Sequence, residues 1–244
     1  VTADLRVFTL AGLHGAVVLT CVTAQRPGAV TAIHAVPAKV VAAQMDAIAA
    51  AAPVAVVKTG MLFSEAIIAT VARAIREHRW RRIVVDPVMV TAGGDPLLQP
   101  RALRAMREDI VPLATVITPN LYEAALLLGR PIGPDDDLLQ AARELAQRYR
   151  VAVLLKGGHR GGRRIENAYV DRRSAWRSFT PRVPGVSDHG AGCLLAASLA
   201  AHLALGRAPS AAARAALRAT AAAFSRARAV GPLRLADPHR GWHR

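Results

Sequence analysis

The segment Gly190-Ala191-Gly192-Cys193 stands directly before a long apolar, alanine-rich run. Glycines at such a junction let backbone N–H groups approach an anion, and the dipole of a following helix favours its negative charge. The pattern suits a phosphate-cradling turn; it also suits a glycine-rich loop leading into a buried helix. Cys193 falls in the first helical turn, a place that lowers a thiol pKa and lets the sulfur act as base or nucleophile. His189 adjoins the turn and can either assist an anion or shape the loop.

Further candidates follow Val/Ile/Leu-rich runs. Lys156 precedes Gly157-Gly158 and suits a cation set against phosphates, or an ordinary strand-end lysine. Asn120 and Glu123 are three residues apart at a helix start. Both can face one site there, with Glu123 holding magnesium through water, or they can simply cap the helix. Asp86, before Pro87, can reach a metal–phosphate region or anchor its own turn. Gln25 offers an amide donor and acceptor to a heterocycle edge. Met61, Val88 and Met89 can line an aromatic ligand or pack in the core. Cys21 lies in an apolar run and reads as packing, and Asp135-Asp136-Asp137 reads as a helix N-terminus.

The elements that must position these residues are short and regularly alternating. Apolar runs at Ala16 to Val22, Val54 to Val57, Arg82 to Val85, Thr115 to Ile117 and Val151 to Leu155 suit parallel strands buried on both faces. Helical patterns occupy Ala38 to Ala51, Ser64 to His78, Arg101 to Asp109 and Asp137 to Tyr149. An antiparallel pair, Glu166 to Val170 and Ala175 to Phe179, is followed by helices over about Ala191 to Leu205 and Ser210 to Ala229. The alternation predicts a three-layer, doubly wound, mostly parallel α/β sheet. Ligands in such sheets bind beyond the carboxyl ends of the strands, where Lys58, Asp86, Thr118 and Lys156 all fall.

At 244 residues and 25.8 kDa the chain suits one domain, expected over residues 1–231, with an irregular tail from 232 to 244. No apolar stretch is long enough to span a bilayer, so no membrane partner and a cytoplasmic location are expected. Two cysteines without metal-ligand spacing argue against a disulfide framework or a zinc site. The net charge of +15 raises the question of nucleic acid. Its arginines are scattered over polar helix faces and aromatic residues make up only 4%, so no nucleic-acid partner is expected. The positive field favours a small anionic ligand such as a nucleotide.

Taken in order, the junctions resemble the ribokinase-like superfamily, and within it the hydroxymethylpyrimidine/phosphomethylpyrimidine kinases. The resemblance is carried by Ala3-Asp4-Leu5, Thr23-Ala24-Gln25, Val41 to Asp46, Lys58-Thr59-Gly60-Met61-Leu62 and Asp86-Pro87-Val88-Met89-Val90. It continues through Gly94-Asp95-Pro96-Leu97-Leu98, Val116 to Asn120 with Glu123, Lys156 to His159 and His189 to Cys193. It implies ATP-dependent phosphorylation of 4-amino-5-hydroxymethyl-2-methylpyrimidine and then of its monophosphate, for thiamine synthesis. By the same resemblance Gln25, Met61 and Val88 hold the pyrimidine, and Cys193 takes the hydroxyl proton. The amides of Gly190, Ala191, Gly192 and Cys193 stabilise the transferred phosphoryl group. Lys156, Asn120, Glu123 and His189 contact ATP, and Asp86 with Glu123 organises Mg2+. A homodimer is also implied. The family pattern places a strand and a glycine-rich segment before the Ala-Asp-Leu match, so the sequence given is expected to lack part of the substrate pocket. Asp188 stands where the family has Thr, and Thr91-Ala92-Gly93-Gly94 replaces Ala-Lys-Ser-Gly. A pyridoxal kinase is the neighbouring expectation, since pyridoxal also carries a hydroxymethyl group on a nitrogen heterocycle. A catalytically impaired ligand-binding relic is the alternative from another class.

Overall fold

The computed structural model describes residues 1–26, 29–90, 96–158, 160–187, 190–231 and 233–240. Strands β1 (Cys21–Arg26), β2 (Ala29–Ala35), β3 (Val57–Thr59), β4 (Ile83–Val85), β5 (Val116–Ile117), β6 (Ala152–Lys156), β7 (Arg164–Val170) and β8 (Ala175–Pro181) alternate with helices. These are α1 (Thr2–Leu10), α2 (Ala38–Ala51), α3 (Glu65–Glu77), α4 (Ala102–Ala105), α5 (Leu121–Leu128) and α6 (Leu138–Tyr149), with α7 (Ala191–Ala204) and α8 (Pro209–Ser225) following β8. Six strands form one sheet in the order β3-β4-β5-β6-β7-β8. Pairing is parallel from β3 to β6 and antiparallel from β6 through β8.

Burial on both faces explains why the central strands read as unbroken apolar runs. Ile83, Val85, Ile117, Val153 and Leu155 point into a core built with α3, α4, α5 and α6. Their neighbours Val84, Val116 and Leu154 point the other way, against Leu195 and Leu199 of α7 and Ala212 and Ala216 of α8. Val7 of α1 packs on the outer side of α7 against Leu194 and Ala197. Helices therefore cover both faces, and the carboxyl edge of the parallel strands is where polar residues collect.

Three expectations are corrected. The run Ala16 to Val22 is not a central parallel strand: the strand begins at Cys21 and pairs only with β2, in a ribbon separate from the main sheet. Polar Thr23, Gln25 and Thr31 interrupt the apolar pattern there, and Val22 is 55% exposed, so the ribbon has no second buried face. The helix expected over Arg101 to Asp109 is α-helical only to Ala105, then continues as a π-turn over Met106–Ile110 and a 3-10 turn over Val111–Leu113 that holds Pro112. The tail is not irregular at its start. Helix α8 stops at Ser225, and β9 (Arg228–Val230) pairs antiparallel with β10 (Leu233–Leu235). Buried Asp237 then accepts from the Arg228 guanidinium at 2.7 Å.

Candidate active site

The ladder carries the site residues to one edge. Asp86 N–H donates to the Thr59 carbonyl at 3.2 Å, Thr118 N–H to Val85 at 3.0 Å, and Lys156 N–H to Pro119 at 2.9 Å. Strand ends β3, β4, β5 and β6 are thus held side by side, and the polar residues after them meet. Lys156 Nζ lies 2.8 Å from Asp86 Oδ1 and 4.0 Å from Glu123 Oε2. Thr118 Oγ1 donates to the same Asp86 oxygen at 2.8 Å. Asp86 and Glu123 are 2% and 3% exposed.

Glu123 owes its place to the start of α5. The Asn120 side-chain oxygen accepts from the Glu123 N–H at 2.9 Å, while Glu123 Oε2 accepts from the Asn120 N–H at 2.8 Å. This reciprocal cap satisfies two orphan donors of the helix and folds the carboxylate back toward Lys156. Asn120, expected beside the nucleotide, thus spends its side-chain oxygen on capping. Val88 and Met89 follow the Asp86-Pro87 turn; Met89 is buried and its N–H also reaches Glu123, while Val88 is half-buried.

The N-terminus of α7 faces this cluster. Gly190 is its N-cap, with φ of 80°, a left-handed conformation that glycine adopts without strain, and among the described residues no side chain caps the helix. A Cβ placed on Gly192 would meet Lys156 Nζ at 3.1 Å and Asp86 Oδ2 at 3.8 Å, so a glycine here keeps open the space between the amides and the charges. Cys193 follows in the same turn. Asp188, His189 and Thr91 to Asp95 lie outside the described residues.

Burial dominates the electrostatics. Burial alone would raise Asp86, yet Lys156, Lys58 and the hydrogen bonds from Lys156 and Thr118 hold it below the usual carboxylate range. Glu123 is pushed up to about 7, by burial first and by the Asp86 charge, against the pull of Lys156 and two backbone N–H groups. The helix start does not lower the Cys193 thiol as expected. Burial, joined by Asp86 and Asp4, raises it and outweighs Lys58 and Lys156.

Lys58, placed by sequence at a strand end but given no role there, is a second buried cation at this edge. It is 6% exposed and paired to Asp4 of α1 at 2.9 Å. Burial opposes the ammonium charge, and Cys193 when ionised, Asp4 and Asp86 together outweigh it and raise the lysine's pKa. The signal of Lys58 in sequence was its place directly after the apolar run Val54 to Val57, as Lys156 directly follows the run Val151 to Leu155.

Gln25 and Met61 are the residues expected to hold the pyrimidine. Met61 follows β3 and Gly60, and its carbonyl accepts from Thr20 Oγ1 at 2.7 Å. Gln25 lies within β1, not after a strand, and is exposed on the ribbon beside Thr23. Among the described residues no hydrogen bond or ion pair joins Gln25 to the Asp86 cluster.

Among the described residues no three His, Cys, Asp or Glu side chains converge as a metal cage. Magnesium ordinarily needs only one or two carboxylates, the remaining ligands being water and phosphate oxygens. Asp86 and Glu123 are both buried, and their carboxylates turn to the same Lys156 ammonium at 2.8 and 4.0 Å. Asp86 and Glu123 therefore fit a hydrated cation.

A mixed sheet whose parallel edge sets buried lysines and carboxylates against a glycine-rich helix start defines a ribokinase-like small-molecule kinase. The family model described as phosphomethylpyrimidine kinase matches residues 1–236, and the chain belongs to that family. It is 42% identical over 207 residues to a hydroxymethylpyrimidine/phosphomethylpyrimidine kinase of Rhizobium meliloti, covering 84% of this chain and 77% of the relative. The corresponding Synechococcus elongatus protein is 40% identical over 232 residues, 95% of this chain and 88% of its own. Among solved structures, a Staphylococcus aureus pyridoxal kinase in complex with AMP-PCP and pyridoxal superimposes with a TM-score of 0.86 at 28% identity, over 98% of this chain and 87% of that one. A Clostridium difficile phosphomethylpyrimidine kinase superimposes with a TM-score of 0.76 at 31% identity, over 88% of both chains.

Proposed function

We propose that the protein transfers the γ-phosphoryl group of ATP to the hydroxymethyl oxygen of 4-amino-5-hydroxymethyl-2-methylpyrimidine, and then phosphorylates the resulting monophosphate, supplying the pyrimidine diphosphate for thiamine synthesis. The observation that carries this reading is the Asp86–Lys156–Glu123 cluster facing the amides of Gly190 to Cys193. Identity of 40% and more to named pyrimidine kinases selects the acceptor.

Phosphoryl transfer needs positioning and charge stabilisation more than covalent chemistry from the protein. Lys156 and the α7 amides hold the transferring group. The acceptor hydroxyl gives its proton to the Cys193 thiolate, its oxygen attacks the γ-phosphorus, and the bond from that phosphorus to the ADP oxygen breaks. The same amides face the charge that develops on the phosphoryl oxygens. Gln25, Met61 and Val88 bind the pyrimidine. Mg2+, held by Asp86 and Glu123, neutralises phosphate charge when bound. The resemblance also favours a homodimer, which light scattering reads directly.

Pyridoxal is the second acceptor to test, because the pyridoxal kinase superimposes with the higher TM-score. ADP release is to be measured with the pyrimidine, its monophosphate and pyridoxal. Turnover of the first two is expected. Turnover of pyridoxal alone would reassign the acceptor, and ligand-induced thermal stabilisation without ADP release would leave a binding protein.

A further inference from the structure

Gln25 sits on a ribbon that, among the described residues, shares no ladder hydrogen bond with the six-stranded sheet. A two-stranded ribbon is marginal alone, so whatever fixes its root sets where Gln25 stands. The Gln44 side chain on α2 does much of this. Its Oε1 accepts from the Leu19 N–H at 2.9 Å and its Nε2 donates to the Leu19 carbonyl at 3.1 Å. One residue on, Thr20 Oγ1 donates to the Met61 carbonyl, and the Thr20 carbonyl accepts from the Val36 N–H at 3.0 Å, closing the ribbon base. An amide alone among the side chains of this length offers both the donor and the acceptor that Leu19 requires.

The ribbon face can be traced from this root. Alternate residues of a strand share a face, which places Cys21, Thr23 and Gln25 together. Thr23 Oγ1 is 3.5 Å from Gln25 Oε1, and Cys21 Sγ is 4.0 Å from the Met61 carbonyl oxygen. The irregularity opposite Ala24 and Gln25 leaves Thr31 of β2 without a partner in the register, so the alternation along β1 is kept. The face that carries Gln25 is therefore the one turned, at its root, toward the loop after β3.

We infer that Gln44 is a positioning residue for the acceptor: by pairing with both backbone groups of Leu19 it fixes the ribbon so that the Gln25 face is presented beside Met61. The inference rests on the acceptor reading above. Gln44 touches no reacting group itself, and a distance of 25 residues in sequence separates it from the backbone it clamps.

The test compares wild type with Gln44→Leu and, as a second release of the same root, Thr20→Val. Steady-state kinetics for acceptor and ATP are combined with hydrogen exchange at the Leu19 amide. Both variants should raise the acceptor KM by roughly tenfold, the scale of one or two lost hydrogen bonds. The KM for ATP should stay within about twofold, and exchange at Leu19 should quicken in Gln44→Leu while β4 and β6 stay protected. Faster Leu19 exchange with an unchanged acceptor KM would overturn the role, as would equal rises in both KM values. If Gln44→Leu does not fold, Thr20→Val decides by the same split. Absence of wild-type turnover with the pyrimidine and with pyridoxal would instead sink the acceptor reading, so the two failures are told apart.

Discussion

Cys193 carries a thiol whose pKa burial raises above the ordinary value, so at neutral pH the sulfur holds its proton. A base that must first lose a proton makes turnover rise with pH through the alkaline range. Replacing Cys193 by Ala should remove that rise and lower kcat by about 10²- to 10⁴-fold, the usual reach of general-base catalysis, with the KM for ATP nearly unchanged. Wild-type turnover in the variant would end its role as base. Glu123 works in the opposite pH range. Its folded value of about 7 lies above the 4.5 of a free carboxyl, so the folded protein binds this proton more tightly than the unfolded chain does. The resulting stabilisation is complete below 4.5 and is lost as pH rises toward 7. In metal-free buffer the Tm of wild type should therefore fall, relative to Glu123→Gln, between about pH 4.5 and 7. Magnesium affinity should rise over the same interval as the ion replaces the proton; a pH-independent Tm difference and a pH-independent affinity would defeat this account. Lys156 and Asp86 were legible because each stands where a strand run breaks, and Glu123 because it falls in the first turn of the helix that follows one. The Lys58–Asp4 pair was not, since 54 residues separate its members, and the direction of the Cys193 shift was not, since burial is a property of the packed chain.

At the scale of elements, the glycine after Lys156 is what lets β6 and β7 lie together. A Cβ on Gly157 would stand 2.1 Å from the Glu166 carbonyl oxygen and 2.8 Å from Leu138 Cδ2. Backbone cannot yield as a side-chain tip can, so Gly157→Ala should destabilise the fold by about 1–3 kcal/mol or more, as overpacking does, and a melting curve reads it. Gly192→Ala is the contrasting case. Its Cβ would meet the flexible end of Lys156 at 3.1 Å, and alanine is the better helix former, so Tm should be held while the KM for ATP rises. A fall in Tm equal to that of Gly157→Ala would show Gly192 to be structural. The helices α2, α3, α6 and α7 and strands β4 to β8 were readable because apolar period and buried face agree. The ribbon of β1 and β2 was not, because strands with no fully buried residue lack the apolar run that marks a buried one. Neither was the β9–β10 hairpin, where helical Ala-Arg composition runs on past the point at which the chain turns.

For the whole molecule, the site and the surface divide the electrostatic task. Of the named site residues, Lys58 and Lys156 face Asp4, Asp86 and Glu123, so with Glu123 ionised the buried cluster carries more negative than positive side chains. Local lysines therefore do not by themselves attract a nucleotide. On the proposed reading that attraction comes from the α7 amides at short range and, at long range, from a chain with a net charge of +15. The two ranges respond differently to salt: contacts inside the buried site are weakly screened, whereas a surface field fades beyond a Debye length of about 10 Å at 0.1 M. Raising ionic strength from about 0.05 to 0.3 M should thus raise the KM for ATP several-fold while leaving the KM for the uncharged pyrimidine flat. The pyrimidine monophosphate, an anion, should follow ATP. Tetramethylammonium chloride run beside potassium chloride separates ionic strength from binding of a particular cation. Equal salt dependence for pyrimidine and ATP would place the effect in the fold instead of the field, and no dependence for either would leave the amide turn sufficient for nucleotide binding without help from the arginine-rich surface.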